Sequence, residues 1–185
     1  MRLIAVTGSA GKASTKTAIA TVLAKQYTVQ LRNEEPLTKS DVFLQIIGVK
    51  VPEKGLFKWR KVIKAVKKRV NVEQPEVQVI VQEFNPKELG YNNWFRQYII
   101  PDITVVTSVT NGRMQVDYPV EQVAEEMIAL ANYSRLAIIN RDDVEGRFAG
   151  FLTNPNITTY GTTLVAEYYF DQHDLELLIE GASIF

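Results

Sequence analysis

A short stretch near the N-terminus has the residue types of a phosphate-binding loop. It follows an apolar run and reads Thr7-Gly8-Ser9-Ala10-Gly11-Lys12. Gly8 and Gly11 allow backbone angles that turn amide N–H groups inward, and the N-terminus of a following helix attracts anions. Lys12 is then placed to reach the β- and γ-phosphates of a nucleotide. We therefore predict phosphate binding here, and the alternative is a glycine-bearing turn that binds nothing.

Two positions depart from the usual pattern of such loops. The first glycine of the pattern is missing, and Ala13 stands where a hydroxyl residue normally ligates Mg²⁺. Ser14 follows one residue later and is the candidate replacement. The sequence therefore leaves open whether the loop keeps a metal ligand of its own.

Glu83 is the acidic residue best placed to complete a metal site. It follows the apolar run 77–81, and carboxylate oxygens are ligands that Mg²⁺ prefers. The alternative is that Glu83 caps a helix beginning near Pro86. Because Glu83 is expected at the same edge of the sheet as the phosphate loop, we predict that it ligates Mg²⁺.

Five other polar positions have structural explanations beside the functional ones. Asp142 and Asp143 are expected to cap the helix that follows them, and Asn140 suits a turn. Arg113 lies in a predicted loop and either binds phosphate or is an ordinary loop arginine. His173 is expected in a solvated turn, so none of these residues alone indicates a site.

The elements that position these residues alternate between strand and helix. Apolar and β-branched runs predict strands at 2–7, 27–31, 77–81, 103–109, 136–139 and 157–160. Apolar residues at helical spacing, with their caps, predict helices at 12–25, 40–48, 57–70, 86–100, 119–131 and from 142 onward. The segment 165–180 predicts a β-hairpin.

This alternation predicts a three-layer α/β fold of the phosphate-loop NTPase type. The sheet should be mostly parallel, with helices on both faces and a C-terminal β-hairpin, because strands separated by helices pair in parallel through right-handed crossovers. Ligands of such sheets bind outside the carboxyl ends of the strands. Residues 1–161 are expected to form this domain and residues 162–185 the hairpin tail.

The composition excludes several classes of chemistry. The chain has 185 residues, of which 46% are hydrophobic, with 21 basic and 21 acidic side chains, no cysteine and one histidine. The absence of cysteine excludes disulfides, cysteine-ligated zinc, iron–sulfur clusters and thiol catalysis. A single histidine excludes a histidine-rich metal site and a histidine-based triad.

No apolar run approaches the ~20 residues that cross a bilayer, and the run 3–6 is too short for a signal peptide. We therefore expect a soluble, cytoplasmic protein.

A basic segment interrupts the balanced charge. Residues 50–69 hold nine Lys and Arg residues against the single acid Glu53. The predicted helix 57–70 either presents a solvated face opposite its apolar stripe or meets an anionic partner such as an acidic protein or membrane headgroups. Nucleic acid is the least favoured partner because no aromatic residues are interleaved with the charge.

Four stretches of the chain resemble the Mur ligase family, specifically its central ATP-binding domain. The first is the phosphate loop from Val6 to Lys12, followed by Ser14-Thr15-Lys16. The others are Val81-Gln82-Glu83, the run 101–109 (PDITVVTSV) and the turn 137–143 (AIINRDD). The members that this chain is most similar to add D-Ala-D-Ala to the muramoyl peptide.

The resemblance implies an ATP-dependent ligase that forms a peptide bond. In such enzymes ATP phosphorylates a carboxylate, an amine attacks the acyl phosphate, and an amide, ADP and phosphate result. It implies that the nucleotide contacts are Thr7, Gly8, Ser9, Ala10, Gly11, Lys12, Ala13, Ser14 and Asn140, the last beside the adenine. It further implies Lys12 and Glu83 as catalytic residues, Glu83 and Ser14 as ligands of Mg²⁺, and a UDP-linked or peptide carboxylate as substrate.

The chain also departs from the family, which leaves a second function open. Arg113 stands at the family's metal-binding histidine, and the segment 120–131 has no counterpart of its carbamylated lysine. The family has one domain that holds the UDP-sugar substrate and another that closes over ATP. We expect a partner domain or chain to supply both. The alternatives are a catalytically inactive nucleotide-binding or scaffold protein on the same fold, and an electrostatic binding module built on residues 50–69.

Overall fold

The computed structural model describes residues 1–31, 44, 46, 76–109, 118–162, 166–171, 176–179 and 182–183. Four sequence predictions lie outside these residues: the helix 40–48 except for residues 44 and 46, the basic helix 57–70, Arg113 and His173. The elements below are those of the described residues.

The strands form one sheet in the order β2-β3-β1-β4-β5-β6-β7-β8-β9. Neighbours from β2 through β7 pair in parallel, and β7–β8 and β8–β9 pair antiparallel. In chain order the strands are β1 (Arg2–Thr7), β2 (Val29–Leu31), β3 (Val79–Glu83), β4 (Ile103–Val106), β5 (Leu136–Asn140), β6 (Ile157–Gly161), β7 (Tyr168–Asp171), β8 (Glu176–Ile179) and β9 (Ala182–Ser183).

Helices cover both faces of this sheet. They are α1 (Lys12–Leu23), α2 (Tyr91–Phe95), α3 (Val120–Tyr133) and, after a π-helical turn (Arg141–Glu145), the short α4 (Gly146–Phe148) and a 3₁₀ turn (Ala149–Phe151). The predicted α/β fold with a mostly parallel sheet is thereby confirmed. Within the described part of the chain, no helix has the length and apolar character needed to cross a membrane.

The alternation of side chains along β1 divides the core between the two faces. Ile4 and Val6 pack with Ala20 of α1 on one face. Leu3 and Ala5 pack with the cluster that contains Leu130 of α3 on the other face. Because both faces of the strand are covered, β1 is a continuous apolar run rather than an alternating one.

The predicted helix 86–100 is wrong in its extent, because the α-helix covers only Tyr91–Phe95. Gly90 precedes it in the left-handed region, with φ +80°. The buried carboxylate of Glu126, on α3, accepts hydrogen bonds from the backbone N–H groups of Gly90 and Asn92, each at 2.6 Å. The start of α2 is therefore set by a partner more than thirty residues away along the chain, which local spacing does not reveal.

Three strand predictions also shift in their bounds by two residues or more. The strand predicted at 27–31 begins at Val29, that at 77–81 runs from Val79 to Glu83, and that at 103–109 ends at Val106. The last shift matters for the site because residues 107–109 leave the sheet and contact the phosphate loop. In the predicted hairpin, β7 and β8 pair antiparallel from Tyr168↔Ile179 to Asp171↔Glu176, and the residues 172–175 between them lie outside the described residues.

Phe95 is the aromatic residue that joins α2 to the sheet. It is fully buried and packs edge-on against Phe84, with ring centroids 5.2 Å apart. Tyr98, three residues later, is 59% exposed. Of these two aromatic residues, Phe95 therefore belongs to the core and Tyr98 to the surface.

Replacing Phe95 by Ala should lower the free energy of unfolding by about 3–5 kcal/mol, because a large buried ring leaves a cavity. Tyr98→Ala is the matched control, and it should change the free energy of unfolding by about 0.5 kcal/mol or less. Urea denaturation followed by circular dichroism measures both. Equal effects of the two substitutions would contradict this packing.

Candidate phosphate-binding site

The phosphate loop lies at the carboxyl end of β1 and leads directly into α1. Gly8 and Gly11 both have positive φ, +126° and +77°. Gly11 is the N-cap of α1, so no side chain caps the helix. The first-turn N–H groups of a helix have no acceptor within the helix, and together with the helix dipole they favour an anion. The arrangement fits a phosphate group at this end of α1.

Lys12 is buried beneath the loop. Its side chain is 2% exposed, and its ammonium donates a hydrogen bond of 2.7 Å to the carbonyl oxygen of Gly8. A buried ammonium keeps its charge only when it is paired or hydrogen-bonded. Lys12 is therefore held at the base of the loop, where it can exchange the Gly8 carbonyl for a phosphate oxygen.

The segment that follows β4 holds the loop from its other side. The carbonyl oxygen of Ser108 accepts a hydrogen bond of 2.7 Å from the Ser9 N–H, and its hydroxyl accepts one of 3.1 Å from the Ala10 N–H. The hydroxyl of Thr107 donates to the carbonyl oxygen of Ala10 at 2.6 Å. The amides of Ser9 and Ala10 are thus used within the protein, and the candidate anion-binding groups are the N–H groups at the start of α1.

Sequence reasoning missed Thr107 and Ser108 as parts of this site. They were included in a predicted strand, whose end only the pairing with β1 and β5 reveals. The available signal was their polarity at the carboxyl end of an otherwise apolar run, at the edge where the loop was expected.

Glu83 lies beside the loop but faces two lysines. Its Oε1 is 4.0 Å from the Lys12 Nζ, and its Oε2 is 3.4 Å from the Lys16 Nζ. Ser14, the other predicted metal ligand, is exposed in the first turn of α1. The Mg²⁺ site predicted at Glu83 and Ser14 stays a prediction, and this arrangement does not fit it, since the carboxylate is already paired with cations.

The turn after β5 is joined to the same segment. Asn140 donates from its side-chain amide to the carbonyl oxygen of Thr107 at 2.8 Å, and Asp143 accepts a hydrogen bond of 2.9 Å from the Val109 N–H. Asp142 instead accepts hydrogen bonds from the N–H and hydroxyl of Thr162. These aspartates were predicted to cap the helix that follows them, whereas the structure shows their carboxylates binding the segments that follow β4 and β6. A contact of Asn140 with adenine stays a prediction.

Tyr160, on β6, lies under this turn. Burial raises the pKa of its phenol to about 12, and the charges of Asp142 and Asp143 add to the effect. Its hydroxyl donates to the carbonyl oxygen of Val106 at 3.4 Å. Tyr160 therefore remains a neutral hydrogen-bond donor throughout the physiological pH range.

The stability contributed by Tyr160 should be lost in alkaline solution. Its pKa in the folded protein, about 12, lies above the ordinary value of 10.0, so its contribution is complete below pH ~10 and declines as the pH rises toward 12. The free energy of unfolding of the wild type, measured relative to Tyr160→Phe, should be constant from pH 7 to 9 and fall between pH 10 and 11.5. A constant difference over the whole range would contradict the raised pKa.

Substitution of the two loop glycines should have unequal effects. A Cβ at Gly8 would lie 2.3 Å from the Thr107 hydroxyl and 2.8 Å from the Ser108 carbonyl oxygen, whereas at Gly11 the nearest atom is 3.9 Å away. Gly11→Ala should cost about 1 kcal/mol of unfolding free energy from its positive φ. Gly8→Ala should cost at least about 2 kcal/mol, since it adds a steric clash. Thermal and urea denaturation of the two variants measure these losses of unfolding free energy. Equal losses would contradict this geometry.

Comparison with known families identifies this architecture. The Mur ligase middle domain family matches residues 6–184, although no curated protein sequence matches the chain. Among solved structures, MurF from Acinetobacter baumannii superposes with a TM-score of 0.67 at 12% identity, covering 93% of this chain and 33% of that one.

Two further structures have the same fold. MurF ligase from Thermotoga maritima, solved in complex with ADP, gives a TM-score of 0.60 at 15% identity over 91% of this chain and 34% of that one. A pseudomurein peptide ligase type C from Methanothermus fervidus gives 0.58 at 15% identity over 86% and 27%. The chain spans about a third of the length of the MurF structures. With a family match over nearly its whole length, it belongs to the Mur ligase family, through that family's middle domain.

Proposed function

We propose that this chain is the ATP-binding domain of an ATP-dependent ligase that joins a carboxylate to an amine. The observation that carries the proposal is the position of Lys12, buried beneath a loop whose helix N-terminus carries no side-chain cap. Support comes from the family and from the presence of ADP in the structure of Thermotoga maritima MurF.

The groups proposed to hold the nucleotide lie along the loop and the start of α1. The first-turn N–H groups of α1 bind the phosphates, and Lys12 balances the charge of the β- and γ-phosphates. The proposed contacts are the residues predicted from the sequence, namely Thr7, Gly8, Ser9, Ala10, Gly11, Lys12, Ala13, Ser14 and, at the adenine, Asn140. No step is assigned to Mg²⁺, because Glu83 does not fit a metal ligand here.

The proposed reaction has two transfers. A carboxylate oxygen of the substrate takes the γ-phosphoryl group of ATP, and ADP leaves. The amine then attacks the acyl carbon, the bond from that carbon to the phosphate oxygen breaks, and an amide and inorganic phosphate result. The chain's own part is to hold and neutralise the transferring group, which supplies most of the catalysis in phosphoryl transfer.

The remaining parts of the reaction belong to other domains in this proposal. Since the chain spans about a third of MurF, the sites for a UDP-linked or peptide carboxylate and for the amine are assigned to a partner domain or chain. The setting that we propose is cell-wall peptide synthesis in the cytoplasm. A second candidate is a catalytically inactive nucleotide-binding or scaffold protein, favoured by Ala13 and by the pairing of Glu83 with lysines.

Nucleotide binding should depend on Lys12. Lys12→Ala is expected to weaken the binding of ATP by at least about tenfold, because a charge-assisted contact to phosphate is lost. Calorimetric titration of the chain with ATP measures this. Lys25→Ala, which removes an exposed lysine just after α1, is the matched control and should bind as the wild type does.

Three results would decide between the candidate functions or reject the proposed site. If the wild type fails to bind ATP and ADP at millimolar concentration, the nucleotide-binding proposal is wrong. Sustained ATP-dependent phosphate release or amide formation with a cell-wall precursor supports the ligase and rejects the inactive protein. Unchanged affinity in Lys12→Ala, with its fold verified by circular dichroism, would show that the loop is not the binding site.

A further inference from the structure

Three charged side chains meet under the phosphate loop. The two oxygens of Glu83 face separate ammonium groups, Oε1 at 4.0 Å from Lys12 and Oε2 at 3.4 Å from Lys16. Both lysine side chains are buried, being 2% and 7% exposed, and Glu83 is 21% exposed. Together the three groups carry one net positive charge, placed at the end of the helix that attracts anions.

Lys16 is in this group because of its spacing from Lys12. The two residues are four apart on α1 and therefore lie on the same face of the helix. That face is turned toward the end of β3, which carries Glu83. An exposed surface lysine at this spacing would be unremarkable, but Lys16 is buried, and its ammonium reaches the carboxylate that the sequence assigned to a metal.

A divalent cation fits this arrangement poorly for two reasons. Ala13 occupies the position at which the hydroxyl of a phosphate loop ligates Mg²⁺, so one oxygen ligand is missing. A cation bound to Glu83 would also have to displace the lysines or lie close to them, where like charges repel strongly in a partly buried site. Among the described residues, no group of three acidic or histidine side chains could hold a metal instead.

We propose that this site binds a nucleoside polyphosphate as the metal-free anion, with the ammonium of Lys16 supplying the positive charge that Mg²⁺ supplies in other phosphate loops. Glu83 then acts as the counter-ion that holds the two buried ammonium groups in place until the anion binds. This inference rests on the proposed nucleotide binding and specifies the ionic form of the ligand.

The inference and a metal site predict opposite effects of one substitution. If Glu83 ligates a cation, Glu83→Gln removes a ligand and weakens binding in the presence of Mg²⁺. If Glu83 is a counter-ion, the same substitution removes the negative charge beside both ammonium groups and raises the net positive charge of the site, so binding of a polyphosphate becomes stronger. Glutamate and glutamine side chains are nearly identical in shape. The experiment therefore asks whether Glu83→Gln raises or lowers the affinity for the polyphosphate.

The experiment titrates ADP into the full chain by calorimetry, in EDTA and in millimolar Mg²⁺ at equal ionic strength. The wild type is expected to bind ADP more weakly in Mg²⁺ than in EDTA, because Mg²⁺ complexes part of the ADP and so lowers the concentration of the metal-free anion. Glu83→Gln should bind ADP at least about threefold more tightly in EDTA, and Lys16→Met at least about tenfold more weakly. Lys16→Arg, which keeps the charge, should retain more of the affinity than Lys16→Met, and Lys25→Met is the exposed control.

The outcomes separate this inference from the proposed function. Binding that strengthens about tenfold with Mg²⁺ and weakens in Glu83→Gln overturns the inference and leaves nucleotide binding in place. Equal affinity of Lys16→Met and the wild type for ADP also overturns the inference. Comparison of their thermal unfolding verifies that the variant is folded. Absence of ADP binding by the wild type in both buffers rejects the inference together with the proposed function.

Discussion

The close approach of Gly8 to the segment after β4 is the contact on which the rest of the site depends. No side chain fits between the Gly8 backbone and the atoms of Thr107 and Ser108, so the loop can lie against this segment and exchange hydrogen bonds with it. Asn140 and Asp143 in turn hold the same segment from the far side. The phosphate loop is therefore one end of a hydrogen-bonded chain that crosses the carboxyl ends of β1, β4 and β5, which explains why a polar loop keeps a defined shape at the edge of an apolar sheet.

Burial determines how the charged side chains beneath this loop are paired. An ammonium group taken out of water must be paired or hydrogen-bonded, and Lys12 and Lys16 meet that requirement with the Gly8 carbonyl oxygen and the Glu83 carboxylate. The same burial is what makes these groups useful, since electrostatic attraction to a phosphate is stronger where water is partly excluded. In the proposed function, stability and anion binding therefore depend on the same contacts, and a ligand would replace them rather than add to them.

Prediction from the sequence succeeded where the physical signal is local. The run 2–7 is a strand with the predicted bounds, and the helix predicted at 12–25 runs from Lys12 to Leu23, because an apolar run before glycines and a helix start after Gly11 are properties of adjacent residues. It failed for the helix 86–100, whose single regular turn begins where Glu126 of α3 binds the backbone of Gly90 and Asn92. Local spacing carries no information about a partner on another helix.

The sequence alone determined the α/β class, the family resemblance and the presence of a loop with the residue types of a phosphate-binding loop. These follow from periodicity, glycine placement and short motifs, which are readable without knowing which elements are neighbours. Only the tertiary structure decided what Glu83 faces, that Lys16 is buried with it, and that Thr107 and Ser108 hold the loop. Each of these depends on the parallel order β3-β1-β4, which brings together side chains that are about seventy to a hundred residues apart in the chain, and it is this pairing of strands that converts a motif into a site.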